Sequence, residues 1–276
     1  MFRRDRIQYK SDDQIRIMRR AGLVVADALA AACEVASRPG VTTAQVDAAA
    51  AETISAAGAT SNFLGYGHPP FPAVTCISVN EEIVHGIPGD RVLAAGDLVS
   101  IDCGAVVDGW HGDAAVTVVC GGDSSAAPED LAVSAATRQA LWAGIAACAG
   151  GRTLGDVGAA IEDSVGEGFG ILEHYTGHGI GTAMHMEPEV MNYRVQGRTP
   201  KLRPGLCIAI EPMCTIGSPD VLTAPDDWTV VTEDGSHGAH WEHTVAIHAG
   251  GIWVLTAHDG GVAGLEPFGI APVPLD

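Results

Sequence analysis

Basic side chains are scarce in this sequence: 15 Lys and Arg stand against 34 Asp and Glu, a formal net charge of −19. A general nucleic-acid surface needs clustered cations, so this balance excludes one. The excess acid reads as solvated face, with a few carboxylates left over for metal ligation. The seven cysteines, at positions 33, 76, 103, 120, 148, 207 and 214, form no C-x-x-C pair. An odd number of thiols in mostly apolar settings excludes a disulfide frame and a zinc knuckle and reads as buried, reduced cysteine. No apolar run reaches the ~18 residues of a membrane span. The start, Met1-Phe2 followed by Arg3 and Arg4, lacks the apolar stretch of a secretory signal. These absences point to a cytoplasmic protein.

What is present is a folded chain. Hydrophobic residues make up 47% of the 276, punctuated by 35 glycines, enough for one large core or two fused halves. The chain is organised around Ile101-Asp102-Cys103-Gly104-Ala105-Val106-Val107-Asp108-Gly109-Trp110-His111-Gly112-Asp113. Asp-Gly between β-branched runs predicts a hairpin, because both turn residues tolerate positive φ. A two-residue loop at Asp108-Gly109 pairs Val107 with Trp110 and Gly104 with Asp113. Asp102 then shares a face with Gly104 and becomes the diagonal neighbour of Asp113, roughly 7–8 Å away at the backbone. The plain alternative is a hairpin with two solvated aspartates. Asp is depleted in strand interiors, however, and a buried carboxylate needs a partner or a metal. Arg91, the nearest cation in sequence, is remote.

Residues 1–10 read as an N-terminal tail. Ser11-Asp12-Asp13-Gln14 then forms a capping box, opening a helix with Ile15, Met18, Gly22, Val25, Leu29 and Cys33 on one face. Arg38-Pro39-Gly40 ends it, and a second helix runs from Thr43 to Ala57. Residues 60–72 form a loop holding Phe63, Tyr66 and Phe71, either a pocket wall or rings that pin the loop. Strands follow over 74–79, 228–232 and 239–247, with helices over 129–148 and after Thr153. Two segments recur: Gly40-Val41-Thr42 resembles Gly151-Arg152-Thr153 in setting, and Gly96 to Asp102 resembles Gly205 to Glu211. The offsets of 111 and 109 residues are nearly equal. They predict related halves over about 11–121 and 129–258, joined by Gly121–Pro128 within a single domain over 11–276.

The candidate inward groups are Asp102, Asp113, His178, Glu211 and Glu242. Carboxylates with a single imidazole suit Mn²⁺, Fe²⁺, Co²⁺ or Zn²⁺. Four negative charges exceed what one divalent ion needs, and two ions roughly 3.5–4 Å apart would use all five groups. His85 and His185, taken alone, read as structural.

These residues in their settings resemble the type I methionine aminopeptidases of the pita-bread metallopeptidase family. The resemblance rests on Ile101-Asp102, Asp108-Gly109-Trp110-His111-Gly112-Asp113, Gly177-His178-Gly179-Ile180-Gly181-Thr182-Ala183-Met184-His185, Glu211-Pro212-Met213 and Trp241-Glu242-His243-Thr244. Ser78 to Pro88, around His85, extends it, and it covers about residues 11–257. The resemblance implies an α/β (α+β) pita-bread fold, a curved antiparallel sheet flanked by helices with pseudo-twofold halves. It implies that Asp113 and Glu242 bridge two divalent ions, that His178 and Glu211 complete one and that Asp102 chelates the other. His85 and His185 would contact substrate and stabilise the tetrahedral intermediate, and Glu211 could also accept a proton. The methionine pocket maps onto Phe63, Tyr66, Phe71, Cys76, Met184 and Trp228. The implied activity is removal of the initiator methionine from nascent proteins and peptides, with a small second residue preferred.

Some positions depart from the commoner family pattern. Phe63 stands where Cys is frequent, Phe71 where Tyr is, Met184 where Phe is, and Met186 replaces an acid; none of these is a metal ligand. The type I assignment rests on the lack of a long insertion between His178 and Glu211 and of a long N-terminal extension. The chain's own Met1-Phe2, with a bulky second residue, should not be processed. The implied partners are N-terminal Met peptides and nascent chains, with the chain a monomer, off the membrane and without direct sequence-specific nucleic-acid binding. A transient ribosome contact would draw on Arg3, Arg4, Arg6 and Lys10. The rival readings are an X-Pro aminopeptidase of the same fold and a non-catalytic peptide-binding protein built on it.

Overall fold

The computed structural model describes residues 7–275. Helix α1 (Asp12–Ala36) starts at the expected capping box, with Gln14 N–H donating to Ser11 Oγ at 3.3 Å and Ser11 N–H to Gln14 Oε1 at 2.9 Å. Helix α2 (Thr43–Ala56) repeats the device with Thr42 and Gln45. The strands β1 (Thr60–Ser61), β2 (Thr75–Val79), β3 (Glu82–Val84), β4 (Leu98–Val107) and β5 (Trp110–Val119) follow. Helices α3 (Pro128–Gly150) and α4 (Leu154–Val165) open the second half. Short strands β6 (Gly170–Ile171), β7 (Gly177–Gly179), β8 (Met186–Val190), β9 (Cys207–Ile210) and β10 (Met213–Thr215) come next. The chain closes with β11 (Val221–Thr223), β12 (Val230–Thr232), β13 (Gly238–His240), β14 (His243–His248), β15 (Gly251–Val254) and α5 (Val262–Leu265).

The central hairpin has the expected register: Val107 pairs with Trp110 and Gly104 with Asp113. Asp108 and Gly109 take φ of 50° and 77°, the positive values that a two-residue turn of this kind demands. All strand pairs are antiparallel. One set runs β1-β4-β2 with β5 on β4, and a second runs β15-β14-β9-β7-β8. Two backbone bonds stitch these sets together: Glu242 N–H to Ala115 O at 2.9 Å and Ala115 N–H to Glu242 O at 3.3 Å. Val25, Leu29, Val46 and Ile54 of the first helix pair pack on Ile77, Val99 and Ile101. Leu141, Ile145, Val157 and Ile161 of the second pair pack on Ile208, Ile210, Val245 and Val254. Each half thus carries its own apolar layer behind its strands.

Four local expectations differ, and the first is that the loop expected over 60–72 opens with β1, paired to β4. The strand expected over 239–247 is two strands, β13 and β14, broken at Trp241-Glu242, because there the Glu242 backbone crosses to Ala115. The strand expected to begin at Trp228 begins at Val230, because the Asp226 carboxylate accepts the N–H groups of Trp228 and Thr229 and keeps them out of a ladder. The end of the expected tail is not solvated. Lys10 is buried with its N–H on Gly205 O at 2.7 Å, and Gln8 bonds the Thr182 hydroxyl at 3.0 Å. Arg3, Arg4 and Arg6 lie outside the described residues.

Helix α1 crosses close to its neighbours through two glycines. A methyl on Gly22 would overlap the carbonyl of Leu255, and one on Gly112 would lie 2.9 Å from Gly22 N. Gly22→Ala should lower unfolding free energy by about 1–3 kcal/mol through overpacking. The change should appear as a lower urea midpoint at unchanged slope; an unmoved midpoint would show that the helix can shift at no cost.

Candidate metal centre and its pocket

Asp102 on β4 and Asp113 on β5 face inward, as the hairpin register requires. Glu211 and Glu242 enter from the second half, each just after a strand gives out. Pro212, which has no N–H to donate, follows the first, and the crossing to Ala115 accompanies the second. Thr244 ties the two sources together, since its hydroxyl donates to Asp113 O at 2.7 Å and accepts Asp113 N–H at 3.1 Å. His178 comes from β7. All five side chains line one cavity of about 100 Å³, together with His85, His185, Phe63, Tyr66, Phe71, Cys76, Met184 and Trp228. Every site residue expected from the sequence is therefore brought to a single place; Val84 lines the cavity as well.

The electrostatics of this cavity are those of a cation site. Ligating atoms of Asp113, His178 and Glu242 lie within 4.8 Å of one another. Buried oxygens of Asp102 (Oδ1), Asp113 (Oδ1) and Glu242 (Oε1) have no hydrogen-bond donor among the described residues. Burial pushes the Asp102 carboxyl up to about 8. Burial and then the neighbouring carboxylates raise Asp113, Glu211 and Glu242 well above the usual carboxylate range. Four such groups cannot all be ionised without counter-charge.

His178 fits the same requirement. Its Nδ1 lies 3.0 Å from the Gly179 carbonyl, so Nδ1–H donates there and the Nε2 lone pair faces the acids. Burial, and then His185, lowers its pKa to about 3, so it is neutral at pH 7. Its Nε2 is 3.4 Å from Glu211 Oε1, and with the imidazole neutral the contact is not an ion pair. Once Glu211 is ionised, two lone pairs face each other at that distance, an arrangement that a cation between them relieves. The donor set, hard oxygens with one imidazole, suits a divalent ion of the Mn²⁺ to Zn²⁺ series.

The apolar end of the cavity is built from loops. Phe63, Phe71, Ala73, Cys76 and Met184 form one buried cluster against Ile87 and Trp228. Phe71 and Trp228 meet edge to face at 5.2 Å, and the indole N–H donates to Pro69 O at 3.1 Å. Tyr66, at the half-exposed rim, has its hydroxyl 2.7 Å from His185 Nδ1. The His85 ring stands 5.9 Å from Trp228 and 6.0 Å from Tyr175. Burial lowers His85 to about 4 and also lowers His185.

Some supporting residues carried no sequence signal. His240 is buried with Nε2 unpartnered, 3.9 Å from Glu211 Oε2. Asn192 holds the Glu211 carbonyl at 3.1 Å and the Tyr175 carbonyl at 3.2 Å.

The description of Metallopeptidase family M24 matches residues 16–249. The chain is 48% identical over 258 residues to methionine aminopeptidase 1 of Mycobacterium tuberculosis, covering 91% of this chain and 95% of that one. It is similar to the crystal structure of methionine aminopeptidase from Thermotoga maritima, with a TM-score of 0.86 and 38% identity over 92% of this chain and 100% of that one. The prolidase of Pyrococcus furiosus shares the fold at a TM-score of 0.69 and 22% identity, over 90% of this chain and 65% of that one.

Metal-free protein should respond to pH in a definite direction. The four carboxylates keep protons in the folded state that they lose when unfolded, so stability falls as pH rises towards Asp102's value of about 8. The lowered histidines, His178, His85 and His240, oppose this only below their unfolded value of about 6.5. Between pH 6.5 and 8 the urea midpoint in chelator should therefore drop. Saturating Mn²⁺ or Co²⁺ should remove that slope and raise stability throughout. A flat profile in chelator would refute the charge crowding.

Proposed function

Because the chain belongs to Metallopeptidase family M24, we propose that its cavity binds two divalent ions and frees the initiator methionine of nascent proteins and peptides. The chain is a metal-dependent aminopeptidase of the methionine aminopeptidase kind. The observation that carries the two-ion reading is the crowding of four buried carboxylates and a neutral imidazole directly beside an apolar, aromatic-walled pocket.

Asp113 and Glu242 would bridge the ions, His178 and Glu211 complete one shell, and Asp102 complete the other. When bound, the ions supply a water of lowered pKa and polarise the scissile carbonyl. The chain's own groups do the rest. Phe63, Phe71, Cys76, Met184 and Trp228 take the methionine side chain, whose sulfur gains about 0.3–1.5 kcal/mol per aromatic contact. Glu211, at the edge of the ligand set, accepts the proton of the attacking water. His185 is fixed by Tyr66. With the phenol donating to Nδ1, its proton sits on Nε2, free to donate to the oxyanion or the peptide carbonyl. His85, neutral because it is buried, is a second donor in the cavity that adds no charge.

The domain reading follows: one catalytic unit over 11–276, with related halves about 11–121 and 129–258 each lending two carboxylates. The chain would work as a monomer in the cytoplasm, where nascent chains emerge. No described helix is long and apolar enough to cross a membrane. Lys10 is buried, so any transient ribosome contact would fall to Arg3, Arg4 and Arg6.

Methionine release from Met-Ala-Ser, compared with Leu-Ala-Ser and Ala-Pro-Ala, tests the whole reading after chelation and after add-back of Co²⁺, Mn²⁺, Fe²⁺ or Zn²⁺. Metal-dependent cleavage of the Met peptide alone is expected. Cleavage of only the Pro peptide would keep the ions and discard the pocket. Asp113→Ala, folded and metal-supplemented, should be inactive. His185→Ala should lower kcat by about 10²–10³-fold with little change in KM, the signature of a lost oxyanion donor. A fall confined to KM would reduce His185 to a binding contact.

A further inference from the structure

One buried polar side chain beside the carboxylates has no use in the scheme above. Asn62 is 9% exposed, and both its Oδ1 and its Nδ2 lack a hydrogen-bond partner. An amide so placed forfeits up to four hydrogen bonds, a cost seldom left standing without a ligand to meet it. Its position is set by sheet register. Strand β1 pairs Thr60 with Val106 and Ser61 with Ala105, so Asn62 comes next, opposite Gly104. Gly104 in turn pairs with Asp113 on its other side.

Asn62, Gly104 and Asp113 therefore form one row across three strands, and residues in such a row share a face of the sheet. Asp102, two residues before Gly104, shares that face too. The glycine leaves the middle of the row empty, and the Asn62 amide fills it. A methyl group on Gly104 would overlap the amide's oxygen, nitrogen and carbon. The amide thus lies over the backbone between the two hairpin aspartates.

The donor and acceptor count identifies the missing partner. The orphan Asp113 Oδ1 is an acceptor and the orphan Asn62 Nδ2 a donor, yet no bond joins them. The orphans Asn62 Oδ1 and Asp102 Oδ1 are both acceptors on one face of the sheet, and buried acceptors with no donor are met by a cation or a cation's bound water. A neutral amide oxygen is a hard donor of the type that divalent ions accept next to carboxylates.

Resting on the two-ion reading, we propose that Asn62 is a positioning residue of the second ion, the one on the Asp102 side. Its oxygen faces the cation or the cation's bound water. Loss of the amide should loosen that ion and leave the ion at His178 and Glu211 alone.

The test is a titration of the metal-free full chain with Co²⁺, read by calorimetry and by the visible bands of bound Co²⁺, which separate the two equivalents. In Asn62→Ala the second equivalent should weaken about 10–100-fold, the usual cost of losing a group that orients metal ligands, with the first unchanged. Gly104→Ala, which keeps Asn62 but puts a methyl in its place, should repeat the loss. Asn62→Asp, which keeps an oxygen at the same reach, should restore the second equivalent. Wild-type binding of the second equivalent in both Asn62→Ala and Gly104→Ala would overturn the proposal and leave the two-ion reading standing. A wild-type chain that takes up a single equivalent would overturn both.

Discussion

The structure depends on one electrostatic constraint: four carboxylates are held out of water within reach of one another. Each alone would be costly, and their mutual repulsion raises the cost further. Among the described residues no protein cation offsets this. Arg91, the nearest in sequence, is engaged with Glu81 and Glu82, and the imidazoles nearby are neutral. The chain therefore folds towards a state that only added positive charge completes, and the fold has to hold the ligands in place meanwhile. It does so with backbone. The Ala115–Glu242 pair of bonds and the double contact of Thr244 with Asp113 lock the acid-bearing hairpin of the first half to the acid-bearing strand of the second.

Burial has opposite consequences for the two kinds of side chain in the cavity, and both suit the proposed chemistry. It drives the carboxylates to seek a cation. It also strips the imidazoles of charge, taking His178 to about 3 and His85 to about 4. A neutral His178 offers a lone pair, while neutral His85 and His185 can donate an N–H without repelling a bound ion. The same dry environment strengthens each of these interactions relative to water.

The parts legible in the sequence were those that local physics dictates. Asp108-Gly109 fixed a two-residue turn, and the turn fixed the register that sets Asp102 and Asp113 on one face. Ser11 with Gln14 announced the first helix, down to its first residue. Legibility failed where the partner of a residue lies far along the chain. The break before Glu242 exists because its backbone meets Ala115, and no local pattern signals that. Lys10 looks like part of a charged tail until Gly205 is placed beside it. Asn62 looks like a loop polar residue, and only the β1–β4 register shows it lying over Gly104.

The division of labour between strands and loops explains how one fold can support different exopeptidase specificities. In this chain the proposed ligands lie on or at the ends of strands, Asp102 and Asp113 on β4 and β5, Glu211 and Glu242 at strand breaks, where backbone bonds hold them. The pocket walls come chiefly from elsewhere: Phe63, Tyr66 and Phe71 from the loop after β1, Met184 from the loop after β7 and Trp228 from the turn before β12. A loop position can change its side chain without moving a strand register. The likeness to prolidase at 22% identity extends to the fold alone and says nothing of the pocket. If these loop residues form the methionine pocket as proposed, specificity lies in them and in how Trp228, pinned to Pro69, sits against Phe71.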